Sequence, residues 1–228
     1  MQFLAEQGRL ALNILQFVLP AVRWTIAITV LSFALAAVLG TLIGLLSQTR
    51  SRFLTFVGRA YVDVLRGVPL LVQIFFIYFG LGGVLHLNRF TAGVLAVGVC
   101  YSAYFAEIVR AGVGSVARGQ HEAAAALGMS RGQALRYVII PQAIRTIIPP
   151  AANDFIACLK DSSLVSIIGL RELTRAGREY YSQFFIDFQT WFIVGLVYLV
   201  MTLLLTRVSR ALERRYQVRG FGATQLRR

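Results

Sequence analysis

Between Trp24 and Leu46 the chain runs without a single ionisable side chain, bounded by Arg23 on one side and by Arg50 and Arg52 beyond the other. A helix that crosses a bilayer needs about 20 predominantly apolar residues, so this segment reads as a membrane span. Similar runs cover Val68–Leu87, opened by Pro69, and Phe90–Val109, which carries Glu107 near its end. Trp191–Thr206 belongs to a last span that begins near Phe184 or Phe185. Val138–Leu170 is too long for one straight span and is interrupted by Pro141, Pro149, Pro150 and Gly169. It reads as a kinked fourth span, of the kind tolerated where neighbouring helices or a cavity satisfy the freed carbonyls. The expected fold class is an all-α membrane protein of about five transmembrane helices, forming one domain over residues 1–228.

Five spans place the termini on opposite sides, and the arginines choose between the two orientations. Arg50, Arg52, Arg59 and Arg66 follow the first span, and Arg110, Arg118, Arg131 and Arg136 follow the third. A basic tail over 207–228 adds Arg207, Arg210, Arg214, Arg215, Arg219, Arg227 and Arg228. The opposite side holds Arg9, Arg23, Arg89, Arg171, Arg175 and Arg178. The bias puts the C-terminus in the cytoplasm and the N-terminus outside. Apolar residues from Phe3 to Leu19, interleaved with Glu6, Gln7 and Arg9, suggest an outer interfacial helix over 1–20; a short extra span is the alternative.

The net charge of +13 comes from arginines between apolar runs and in the tail, without an RNA-type aromatic and glycine motif, so no nucleic-acid partner is expected. Cys100 and Cys158 lie inside apolar segments without histidine neighbours and read as small core residues; no metal site is expected. No G-x-x-x-x-G-K-[ST] phosphate loop is present, the sole lysine being Lys160. The chain itself therefore lacks an ATPase site of that kind and no enzymatic activity is expected of it. His121-Glu122 is not followed by a second histidine at zinc-protease spacing. The N-terminus shows no signal-peptide pattern.

Between the third and fourth spans, residues 118–141 form a distinctive loop. Glu122–Leu127 is rich in helix formers and predicts a short helix with Glu122 in its first turn. Gly128 suits a left-handed cap, and Ser130 can cap a following helix over Arg131–Val138. The spacing Glu122-Ala123-Ala124, Gly128, Val138, Ile140, Pro141 resembles the signature of importer permeases of the ATP-binding-cassette (ABC) superfamily. Three further segments, Tyr61–Gln73, Tyr101–Gly112 and Asn153–Leu164, resemble the polar amino acid uptake branch, the permeases for histidine, glutamine and arginine. Together with the loop these segments run through most of the chain from Tyr61 to Leu173; the first and last spans match only as generic helices.

The resemblance implies a type I importer permease in a bacterial cytoplasmic (inner) membrane, with the loop as a coupling helix that docks on a separate ATPase through His121, Glu122, Ala123, Ala124 and Gly128. It also implies a second permease subunit, identical or homologous, and an extracytoplasmic substrate-binding protein. No cofactor is expected on this chain, ATP and magnesium belonging to the ATPase. An ATP-independent facilitator or channel, and a partner subunit with no substrate site, remain as alternatives.

The fourth span carries the substrate candidates. Asp154, Lys160 and Asp161 lie at membrane depth, where charge is expensive and usually functional. Residues seven apart share a helix face, so Asn153 aligns with Lys160 and Asp154 with Asp161. One reading pairs Lys160 with a substrate carboxylate and an aspartate with its ammonium, with Asn153, Ser162 and Ser163 beside them. The other is a Lys160–Asp161 ion pair that holds the span together. Two aspartates and one lysine sum to −1, which favours a basic amino acid. Asp63 with Arg66, and Glu107 with Arg110, read either as salt bridges pinning helix ends or as gating pairs.

Overall fold

The architecture is taken from a computed structural model, which describes residues 2–49 and 51–216. Arg50 and 217–228, and with them Arg219, Arg227 and Arg228 of the basic tail, lie outside the described residues. Among the described residues every regular element is helical.

Helix α1, Gln2–Val18, turns through a 3₁₀ segment at Leu19–Ala21 into α2, Val22–Leu46. The apolar stretch Ala5–Leu46 spans 42 residues, or about 63 Å at the α-helical rise. The hydrocarbon core of a bilayer is about 30 Å, so the whole stretch cannot lie within it. The N-terminal helix expected over 1–20 is present, but it does not stand apart. Ile14 and Val18 pack with Leu173, Ala176, Tyr180 and Val194 from elements much later in the chain.

The second span departs from expectation. Residues read as an arginine-bearing loop form α3, Arg52–Gly67, capped by the Ser51 side chain accepting from the Leu54 N–H. Beyond Pro69 the chain continues as α4, Leu70–Phe75, a π-helical stretch Phe76–Leu81, and α5, Gly82–Leu85. Between α3 and this second helical stretch the chain bends by 101°. The bend has a local cause. A residue before proline is pushed out of the helical region, and Val68 sits at φ −104°, ψ 128°. Gln73 Nε2 then donates to the Leu65 and Val68 carbonyls, at 2.8 and 2.9 Å, which the break leaves without helical partners.

Helix α6, Arg89–Gly114, is the third span and the centre of the molecule. It lies against α2 at glycine contacts. A methyl at Gly40 would stand 2.6 Å from the Ser102 carbonyl oxygen and 2.7 Å from Phe105 Cβ. Such small residues let membrane helices approach backbone to backbone. The coupling segment follows as α7, Arg118–Ala126, and α8, Arg131–Ala134, then a π-helical stretch Leu135–Ile139.

The fourth span is α9, Ile140–Asp161, assigned as one continuous α-helix despite Pro149 and Pro150, and followed by a 3₁₀ segment Ser162–Ile168. Phe33 of α2 packs edge-on against Phe105 of α6 and Phe155 of α9, tying the three spans together. The segment carrying Arg175 and Arg178 forms α10, Leu173–Phe184, which buries Leu173, Ala176, Gly177 and Tyr180. The last span, α11, Phe188–Tyr216, begins after Phe185, not at it, because Phe185 turns left-handed at φ 55°. It absorbs the first residues of the expected tail.

Candidate functional site: a polar cluster inside the bundle and an exposed docking loop

Three spans converge on a polar cluster. From α6, Tyr101 is 4% exposed, and its hydroxyl donates to Asp161 Oδ2 at 2.8 Å. From α4, Gln73 reaches the Cys100 Sγ at 3.5 Å with the same amide that bridges the helix break. From α9 come Asp154, half-buried, and Asp161, exposed at the helix end, seven residues apart on one face. Two acceptors in the cluster, Asp154 Oδ2 and Gln73 Oε1, are buried without a hydrogen-bond partner among the described residues. A buried acceptor left unmatched costs about 1–3 kcal/mol, more if charged, so this arrangement invites a donor from outside the chain.

The remaining candidates divide between two sides of α9. Asn153 and Lys160 are both exposed and share a face, as the seven-residue spacing predicts. Among the described residues Lys160 makes no ion pair, and the Lys160–Asp161 bridge is not formed. Asp161 instead takes its donor from Tyr101. Ser163 is half-buried, whereas Ser162 is fully buried with its hydroxyl donating to the Leu159 carbonyl at 2.7 Å. Ser162 thus has no free donor to offer at the cluster. Gln73 and Tyr101 were missed as site residues; each is a polar interruption of an apolar run, the one signal available in sequence.

The docking loop is built by helix caps. Helix α7 begins at Arg118, four residues earlier than expected, despite Gly119 and without a side-chain cap at Ala117. Glu122 therefore lies beyond the first turn. Gly128 is left-handed, at φ 72°, with the Gly128 N–H donating to Ala125 and the Met129 N–H to Ala124, both at 3.0 Å. This paired pattern closes the helix C-terminus, and L residues other than glycine adopt such a φ at a cost. Ser130 and Gln133 form a reciprocal capping box on α8, and the helix expected to Val138 continues through the π-helical stretch Leu135–Ile139 into α9. His121, Glu122, Ala123 and Gly128 are exposed, but Ala124 faces the chain's own interior at 2% exposure. Leu127, unremarked in sequence, stands 81% exposed beside Gly128.

A second buried carboxylate lies outside the spanning helices. Glu172 caps α10 by accepting from the Arg175 and Thr174 N–H groups at 2.7 and 2.9 Å, and from the Tyr198 hydroxyl at 2.8 Å. It is fully buried, and that burial pushes its carboxyl up to about 7 against the opposing pull of these donors.

The family model for the inner membrane component of binding-protein-dependent transport systems matches residues 36–218. The chain belongs to this family. It is 39% identical over 199 residues to the glutamine transport system permease protein GlnP of Escherichia coli K12, covering 86% of this chain and 91% of that one. It is 33% identical over 201 residues to the arginine transport system permease protein ArtQ of Bacillus subtilis, covering 87% and 92%. A crystal structure of an amino acid ABC transporter with histidines superposes with a TM-score of 0.83 at 39% identity, over 90% of this chain and 96% of that one. The inward-facing MetNI methionine ABC transporter, at 18% identity and a TM-score of 0.78 over 90% and 99%, shares the fold. The all-helical architecture is thus that of a type I ABC importer permease, and the chain is a multi-pass transport component.

Proposed function

We propose that this permease forms part of the translocation path of an ATP-driven importer of polar amino acids, with the α9 carboxylates receiving the substrate and α7 docking on a separate ABC ATPase. ATP and magnesium bind the ATPase. A second permease, identical or homologous, completes the path, and an extracytoplasmic binding protein delivers the amino acid. The arginine distribution sets α7 and the C-terminus on the cytoplasmic side of a bacterial inner membrane. ATP binding closes the ATPase dimer, the docked α7 moves with it, and the site alternates between the two sides as a two-state element.

The observation that carries the substrate site is the buried Asp154 Oδ2, without a hydrogen-bond partner among the described residues, on the same face of α9 as the exposed Asp161. A substrate ammonium supplies the missing donor. Lys160, unpaired on the adjoining exposed face, is available for the α-carboxylate. The two carboxylates and one ammonium sum to −1 and favour a basic substrate over a neutral one. Glutamine and arginine, transported by the relatives named above, are the probes that separate these cases. The test is uptake by the reconstituted permease–ATPase complex carrying Asp154→Asn. Arginine uptake is expected to fall more steeply than glutamine uptake; unchanged uptake of both would remove Asp154 from the site.

A further inference from the structure

Between α3 and α6 lies an open cleft of about 290 Å³ lined by Arg59, Val62, Asp63, Arg66, Glu107 and Arg110, its arginines and Asp63 exposed. Its position follows from the register of the two helices. Tyr61 Oη lies 2.7 Å from Ser102 Oγ, Val62 packs on Ala103 and Ala106, and the Arg66 guanidinium stacks 5.2 Å over the Tyr104 ring. Tyr104, 37% exposed, lies ten residues before the end of α6 at Gly114. Arg59, Asp63 and Arg66 are exposed along this cleft, open to an incoming solute.

Most of these charges are not consumed by one another. Arg110 forms a bidentate pair with Glu107 at 2.7 and 2.9 Å. Among the described residues, neither Arg59, Asp63 nor Arg66 makes an ion pair. These three fall on a stripe of α3 about 60° wide. The exposed apolar residues Phe53, Val57 and Val64 point elsewhere, while exposed Phe56 borders the stripe beside Asp63. The stripe also joins the α9 cluster through an unbroken series of contacts. Asp161 is bonded to Tyr101, the Tyr101 ring lies 5.8 Å from that of Tyr104, and Tyr104 carries Arg66.

We propose that this cleft is a second binding station for the transported amino acid, between the α9 site and the α7 end of the bundle, where Arg66 takes the α-carboxylate and Asp63 the α-ammonium. The station rests on the importer reading above and extends it. An unpaired cation and anion three residues apart on one helix are neighbours, and together they match the two charged groups every α-amino acid carries. Three guanidiniums and two carboxylates give the station a net charge of +1, the reverse of the α9 cluster. A basic amino acid is therefore held less firmly at the station than at the α9 cluster. Conduction through serial sites requires that binding be weak enough to allow exit.

The test uses the intact permease–ATPase complex in proteoliposomes, with labelled arginine and glutamine. Arg66→Gln is expected to lower the maximal uptake rate about tenfold while KM changes by less than about threefold, because loading at α9 is untouched. Arg66→Lys restores most of the rate. A second readout is independent of turnover. Arg66→Cys and Asp63→Cys are labelled with a negatively charged methanethiosulfonate reagent, Cys100 and Cys158 being buried and out of reach. A transported amino acid slows that labelling and a non-transported one does not.

Wild-type transport by Arg66→Gln, or labelling indifferent to a transported amino acid, overturns the station; so does protection by anionic lipid alone. If Arg66→Gln fails to assemble, the labelling of the cysteine variants decides. A wild-type complex that transports no amino acid overturns the importer reading and the station with it, whereas a transporting wild type with an indifferent Arg66 overturns the station alone.

Discussion

Replacing Tyr101 with phenylalanine removes one hydroxyl from the cluster and little else. The ring is 4% exposed and packs among Ile28, Ala96, Val97 and Cys158, so phenylalanine keeps the core filled. The lost bond is the 2.8 Å donation to Asp161 Oδ2, the sole hydrogen bond to that carboxylate among the described residues. A hydrogen bond to an ionised acceptor contributes about 1.5–3 kcal/mol, which sets the ceiling on what its loss can cost in substrate affinity, about 10- to 100-fold. Asp161 also gains rotational freedom that substrate binding must then freeze. Tyr101→Phe is therefore expected to raise the KM for uptake about tenfold, while ATPase retention by the purified permease is unchanged. Tyr61→Phe is the control, because it removes the 2.7 Å Tyr61–Ser102 contact with α6 without touching a carboxylate. The reasoning fails if Tyr101→Phe leaves KM unchanged, or if Tyr61→Phe raises it equally.

Two further outcomes follow from the caps at the two ends of the bundle. The raised carboxyl of Glu172 means that the folded state binds more protons than the unfolded one between pH 4.5 and about 7, so stability falls as pH rises through that window and then levels off. The full effect is about 3 kcal/mol. Thermal unfolding of the detergent-solubilised permease should show this slope, and Glu172→Gln should flatten it; an equal slope in the variant assigns the dependence elsewhere. At the other end, Leu127→Ala removes the 81% exposed side chain beside Gly128. If that side chain is buried in the ATPase cleft, the loss is about 1.5–3 kcal/mol of docking free energy, read as earlier release of the ATPase from the immobilised permease in a salt gradient; retention equal to wild type would place Leu127 outside the contact.

The spans most easily read from the sequence are the helices with the longest apolar runs, α2, α6 and α11. Helix α3 was not legible because its apolar positions share the segment with Arg59, Asp63 and Arg66. Its buried face, Gly58 and Val62, holds one glycine and one aliphatic residue, too little to outweigh three charges in a linear reading. Helix α10 hid for the same reason, burying Leu173, Ala176, Gly177 and Tyr180 between arginines. The loop was legible at Gly128 and Ser130, where backbone geometry demands a residue type, and not at Arg118, where no capping side chain marks the start. Asp154, Lys160 and Asp161 announce themselves as charges in an apolar context. The partnership of Tyr101 with Asp161, and the bridging by Gln73, depend on three helices meeting in space, which no local pattern encodes.

The central claim is that transport through the α9 cluster is driven by an ATPase engaged at α7. The most direct measurement is accumulation of labelled arginine and glutamine in proteoliposomes holding the permease, its ATPase and the binding protein, with and without ATP, and with Gly128→Trp in the loop. Uphill accumulation is expected only with ATP, and Gly128→Trp is expected to abolish it together with co-purification of the ATPase. Equilibration of either amino acid down its gradient without ATP, unaffected by Gly128→Trp, would contradict it and identify a facilitator.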